Sequence, residues 1–232
     1  MVYVKRLSAL LLMICFIFVA GLPVEASKNE LEGHDFSWFT GTHTPGKVNS
    51  LRTDNLLDGD LIYGWNPGCK YGEWSHVMMV VTVDGDKMII HAATGGRPNN
   101  GIRTINLEFA KENYDVAASE RLNVNVSSAQ RLAAANKALW FMNNSNGVYD
   151  WDCDVGTNDE WQCAKLVYRA YYDAVGINIW HRHSYFAIYP GSVFASPYAT
   201  LIERTSTENN PEASWEPPED YNENSMPITI TK

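Results

Sequence analysis

An Asp-Gly pair set between two apolar runs constrains this chain most. Asp84-Gly85-Asp86 separates residues 75–83 (SHVMMVVTV) from residues 87–92 (KMIIHA). Asp-Gly suits a two-residue hairpin turn, whose central positions need positive φ, and the flanking runs are apolar and rich in β-branched residues. The chain is therefore expected to fold around an antiparallel hairpin. Residues 60–65 (DLIYGW) and 116–125 (VAASERLNVN) read as further strands.

Helices follow these strands. Ser127 and Gln130 have capping-box spacing. Behind them Ala129, Leu132, Ala133, Asn136, Leu139 and Trp140 follow helical spacing and predict a largely apolar face. A second helix is marked by Cys163, Leu166, Val167, Ala170, Tyr171, Ala174 and Val175, with Gly176 as its stop. Strands before helices imply an α+β fold with a mainly antiparallel sheet.

Composition limits the rest. The 232 residues are 45% hydrophobic and 19% charged, enough apolar content for a packed core. A net charge of −9 argues against nucleic acid as a partner, because phosphate binding needs a basic surface. Lys5 and Arg6, an apolar run over residues 7–19, and Val24-Glu25-Ala26 have the pattern of a secretory signal peptide over residues 1–26. The run is short for a membrane span, which takes ~20 residues. No stable span is expected after cleavage, and a secreted or cell-envelope location is expected. Residues 205–232, rich in Glu, Asn, Ser and Pro, read as a disordered acidic tail. That leaves residues 27–204 as one folded domain, expected to be monomeric.

Removing the leader takes Cys15 with it and leaves Cys69, Cys153 and Cys163, an odd number in an oxidising compartment. Cys163 opens the second helix, where unsatisfied N–H groups and the helix dipole favour thiolate. On its own, a cysteine on an apolar helix face is more often a core residue. The histidines add to the case. If Asp84-Gly85 is a two-residue turn, Val83 pairs with Asp86 and His91 lies opposite Met78. His76 and Met78 share a face, because strand side chains alternate. His76 and His91 would then be diagonal neighbours on one face, ~7–8 Å apart between Cα atoms. A three-residue loop would separate them, and two structural histidines at strand ends is the plainer alternative.

The order GDLIYGW, SHVMMVV, KMIIHA, then VYDWDCDVGTNDEWQCAKLVYRAYYDAVGI resembles the permuted papain-like amidases of YiiX/YaeF type, a circularly permuted branch of the NlpC superfamily of cysteine peptidases and amidases. The resemblance extends over residues 58–202. It implies a circularly permuted papain-like α+β fold, with Cys163 as nucleophile, His76 as general base and His91 at the third, orienting position. Tyr149, upstream of the nucleophile, and Gln162, directly before it, are expected to line the oxyanion or substrate site. The chain departs from the family pattern at Ala164-Lys165, where Ser-Glu is common, and at Gln162, where an aromatic is usual. The implied activity is hydrolysis of an amide bond through a thioacyl-enzyme, without a cofactor, on an amide-containing substrate such as a peptidoglycan peptide. An acyltransferase or lipid hydrolase using the same Cys-His pair, or a non-catalytic cell-envelope binding module, are the alternatives. In this fold Cys69 and Cys153 would both border the cleft. They are either a disulfide or two thiols, and geometry decides between these. No zinc spacing is present, and the acidic loop after Asp150 misses calcium-loop spacing at Gly156 and Glu160.

Overall fold

A computed structural model describes residues 44, 46–65, 74–93, 101–145, 147–150, 155–180, 188–194 and 196–205. The expected leader, residues 206–232 of the expected tail, Cys69 and Cys153 lie outside the described residues, whereas Thr205 is buried and hydrogen-bonded to Ala117. Among these residues the elements run β1 (Leu61–Trp65), β2 (Trp74–Val83), β3 (Asp86–Ala92), β4 (Ile102–Asn106), α1 (Phe109–Glu112), β5 (Ala117–Leu122), α2 (Ser128–Asn144), β6 (Val148–Tyr149), β7 (Glu160–Trp161), α3 (Cys163–Val175), α4 (Pro190–Phe194) and β8 (Ala199–Arg204).

Six strands form one sheet in the order β4-β3-β2-β1-β5-β8, and every neighbouring pair is antiparallel. The hairpin is the expected one. Asp84 and Gly85 take φ of 52° and 89°, the two positive values of a type I′ turn, and Val83 pairs with Asp86. The pairing continues to Met79 opposite Ile90, the register that sets His91 across from Met78.

The sheet is covered on both faces, which is why β2 is buried along almost its whole length. Leu61, Tyr63, Val77, Met79, Val81 and Ile90 pack with α2, α3 and α4 on one face. On the other, Ile62, Met78, Val80 and Ile89 pack with Leu51, Leu56, Phe109 and Tyr114. The Gly-Asp step before β1 has a structural reason. The fully buried Asp60 carboxylate accepts from Arg121 Nη2 at 2.6 Å, from Arg121 Nε at 2.9 Å and from the Leu57 N–H at 2.8 Å.

Both helices form where expected. Ser127 and Gln130 close a capping box on α2, and Gly176 ends α3 in the left-handed region. The buried face of α2 is not the expected one. Ala134, Ala135, Ala138 and Phe141 face inward, whereas Leu132 and Trp140 are exposed. Alanines on both sides of α2 leave two stripes with helical spacing. Packing against α3 selects the stripe of small residues, which lets the two axes approach. Trp140 lies outside under Lys137 Nζ, 4.0 Å from the ring centroid.

Candidate active site

Cys163 begins α3 and is buried with its thiol reduced. Gln162 turns the chain into the helix from an extended conformation, and its Oε1 accepts from the Ala164 N–H at 2.9 Å. The Cys163 thiol points to the same Oε1 at 3.6 Å. The Gln162 amide nitrogen donates to the Ile188 carbonyl, so this side chain caps the helix and pins it to the segment before α4. Tyr149 is half-buried on β6, which runs parallel to β7 and pairs Tyr149 with Trp161. The Asp150 N–H donates to the Trp161 carbonyl at 3.0 Å. The strand holding Tyr149 thus lies against the residues that lead into Cys163.

Lys165 follows for a structural reason. It is fully buried, and its Nζ donates to the Glu160 carbonyl at 2.6 Å and to Thr157 Oγ1 at 3.3 Å. The ammonium lies 5.3 Å from the Trp161 ring centroid. These contacts brace the loop before α3 against the helix's first turn.

The two histidines meet as their register implies. His76 Nε2 and His91 Nδ1 are 2.9 Å apart, and the rings stand edge to face at 5.2 Å between centroids. Both are buried. Burial, with the Arg103 charge added, pushes His76 down to about 3; burial, then His76 and Arg103, lowers His91. Both imidazoles are therefore neutral at physiological pH.

Tyr114 and Arg103 complete the surroundings. Neither was legible as a site residue in the sequence. The Tyr114 ring stacks on His76 at 6.5 Å between centroids. It occupies the space above Gly64, where an added Cβ would run into the ring; this close approach is what the glycine in β1 permits. Asn49 Nδ2 holds the segment by donating to the Tyr114 carbonyl at 2.7 Å. Burial raises the Tyr114 hydroxyl pKa, and the charge of Cys163 adds to the effect, so Tyr114 is a neighbour of both the histidine pair and the cysteine. Arg103 lies directly across from His91 in β4, and its Nε donates to His91 Nε2 at 3.3 Å. Its signal in the sequence was its alternate position in IRTIN, a strand missed because its polar residues mask the alternation.

His76 and His91 are thus in direct contact on the sheet face with Phe109 and Tyr114. Cys163 packs in the apolar cluster of α2 and α3, on a helix packed against β2 and β3, and its charge acts on Tyr114 beside His76. Among the described residues no group of three or more His, Cys, Asp or Glu side chains is placed to hold a metal ion. No helix among them is long and apolar enough to cross a membrane.

Comparisons with known proteins agree with this architecture. The structure is similar to the crystal structure of metalloprotein yiiX from Escherichia coli O157:H7, with a TM-score of 0.50 and 15% identity over 69% of this chain and 97% of that one. At this identity the likeness is one of fold. No curated protein matches the sequence. A family model described as permuted papain-like amidase enzyme, YaeF/YiiX, C92 family, matches residues 55–199, which hold the hairpin, the histidine pair and the cysteine helix. The chain belongs to this family of permuted papain-like cysteine amidases and peptidases.

Proposed function

We propose that this protein is a secreted cysteine hydrolase that cleaves amide bonds in peptides of the bacterial cell wall, with Cys163 as nucleophile and the His76–His91 pair as its proton-handling partner. The observation that carries the reading is the reduced Cys163 thiol at the start of a helix packed on the strands that bear the two histidines. The sulfur attacks the carbonyl carbon and its proton passes to His76. The tetrahedral intermediate collapses to a thioacyl-enzyme as His76 protonates the leaving amine, and water then releases the acid. The Cys163 backbone N–H and the Tyr149 hydroxyl stabilise the oxyanion, and losing one such donor costs ~10²–10³ in rate. Gln162, by capping α3, fixes the direction of the thiol. Cell-wall peptides are the substrate class that fits a secreted amidase, and the leader-like N-terminus supports secretion.

The yiiX protein is described as a metalloprotein. The histidine pair here does not suit a metal ion. Both His91 nitrogens are engaged, and the positively charged Arg103 guanidinium lies 3.3 Å from His91 Nε2.

Alkylation of the mature protein across pH, with mass mapping of the modified residue, tests the reading. Cys163 is expected to react selectively and below the pH range of an ordinary thiol, whose pKa is ~8.5. His76→Ala should move that reaction to higher pH. An inert Cys163, or one bonded to Cys69 or Cys153, would overturn the assignment. Hydrolysis of amide substrates with and without an amine acceptor separates a hydrolase from an acyltransferase.

A further inference from the structure

Three buried groups lie in line across β2, β3 and β4. Arg103 Nε points at His91 Nε2 at 3.3 Å, and His91 Nδ1 points at His76 Nε2 at 2.9 Å. A guanidinium N–H only donates. His91 Nε2 must therefore accept, which puts the His91 proton on Nδ1. His91 then donates to His76 Nε2, and a neutral His76 must carry its own proton on Nδ1.

We propose that Arg103 is a positioning residue that sets the direction of this hydrogen-bond chain, fixing both histidines as Nδ1-protonated neutral imidazoles in the resting protein. The inference rests on the proposed function and adds to it. An imidazolium at His76 would carry a second proton on Nε2. That proton would have to donate to His91, so His91 would have to move its own proton to Nε2. Two donors, Arg103 Nε–H and His91 Nε2–H, would then face each other. The resting histidine pair is accordingly neutral, with no imidazolium at His76. His76 takes up a proton only when the Arg103–His91 bond opens. The other groups at the pair are the Tyr114 hydroxyl ahead of β5, the Phe109 ring from α1 and, next to Tyr114, Cys163 on α3. Tyr114 is neutral because burial raises its pKa, so Arg103 is the one fixed charge among the groups named here. The low pKa of His76, about 3, agrees with this arrangement.

Nitrogen-15 NMR of the imidazoles in the full-length protein tests the inference, with signals assigned through His76→Gln and His91→Gln. Wild type is expected to show both rings Nδ1-protonated at pH 7. Arg103→Met should redistribute His91 between tautomers and raise the proton affinity of His76 at least tenfold. Arg103→Lys, which restores a donor, should return His91 toward the wild-type tautomer. An Nε2-protonated or doubly protonated His76 in wild type, or unchanged tautomers in a folded Arg103→Met, overturns the assignment. The wild-type arm needs no substitution, so it decides even if the methionine variant fails to fold. The readout needs no substrate, so an inactive Cys163 would overturn the proposed function and leave this result standing.

Discussion

Single buried titratable residues set how stability responds to pH. His76 has a folded pKa of about 3, well below an exposed imidazole. The unfolded chain therefore binds the extra proton first, and the stability His76 contributes is present above pH ~6.5 and lost as pH falls toward 3. Between pH 7 and pH 4 this is on the order of 3 kcal/mol, and His76→Gln should flatten the acid limb of thermal melts by a comparable amount. Glu120 acts in the opposite direction. Burial pushes its carboxyl up to about 8, against the lowering effect of the Tyr63 hydroxyl, so its contribution is full below the unfolded carboxylate range and is lost as pH rises through 8. Glu120→Gln should stabilise the protein at pH 9 relative to pH 6 by on the order of 2 kcal/mol, read from urea midpoints at the two pH values. Some of this scale was readable from sequence. His76 and His91 could be matched because a two-residue turn and period-two alternation fix parity. Tyr114 and Arg103 could not, because each reaches the pair through tertiary contacts. Tyr114 does so over a glycine in another strand, and Arg103 from a strand whose pattern is half polar.

At the level of elements, the start of α3 and the centre of the sheet hold the site. Gln162 replaces the small polar residues usual at a helix N-cap, and its longer side chain reaches both the Ala164 N–H and the Ile188 carbonyl. Gln162→Ala should cost about 1–2 kcal/mol in chemical unfolding and slow Cys163 alkylation, since the thiol loses the oxygen it points to. Gly64→Ala should displace the Tyr114 ring, costing about 1–3 kcal/mol in thermal unfolding. Its effect on the thiol would appear as a shifted pH profile of alkylation. The α3 helix was legible because one continuous apolar stripe ran from Cys163 to Val175. The inward face of α2 was not, because alanine satisfies an apolar pattern on either side of a helix. The choice between faces is made by the partner helix. The edge strand β8 escaped notice because it is only partly buried and mixes Thr, Glu and Arg with two apolar residues.

Across the whole molecule, the described chain begins and ends at one place. The Thr44 backbone N–H and hydroxyl both donate to the Asp115 carboxylate, at 2.9 and 2.7 Å. Thr205 exchanges backbone and side-chain hydrogen bonds with Ala117, two residues further on. Arg52 donates to the Glu203 carboxylate, joining the first segment to the last strand. Residues 44 and 205 are thus held by residues 115 and 117 of the same segment. A protein rewired by a short glycine-serine linker from 205 to 44, and opened at Asp84-Gly85, would keep every strand neighbour except the covalent turn itself. Its melting temperature should fall by only a few degrees, corresponding to about 1–2 kcal/mol for the lost tight turn, and Cys163 should retain its reactivity. A collapse of the rewired protein would show that the order of synthesis, not only the set of contacts, is needed to bring the histidine strands and the cysteine helix together.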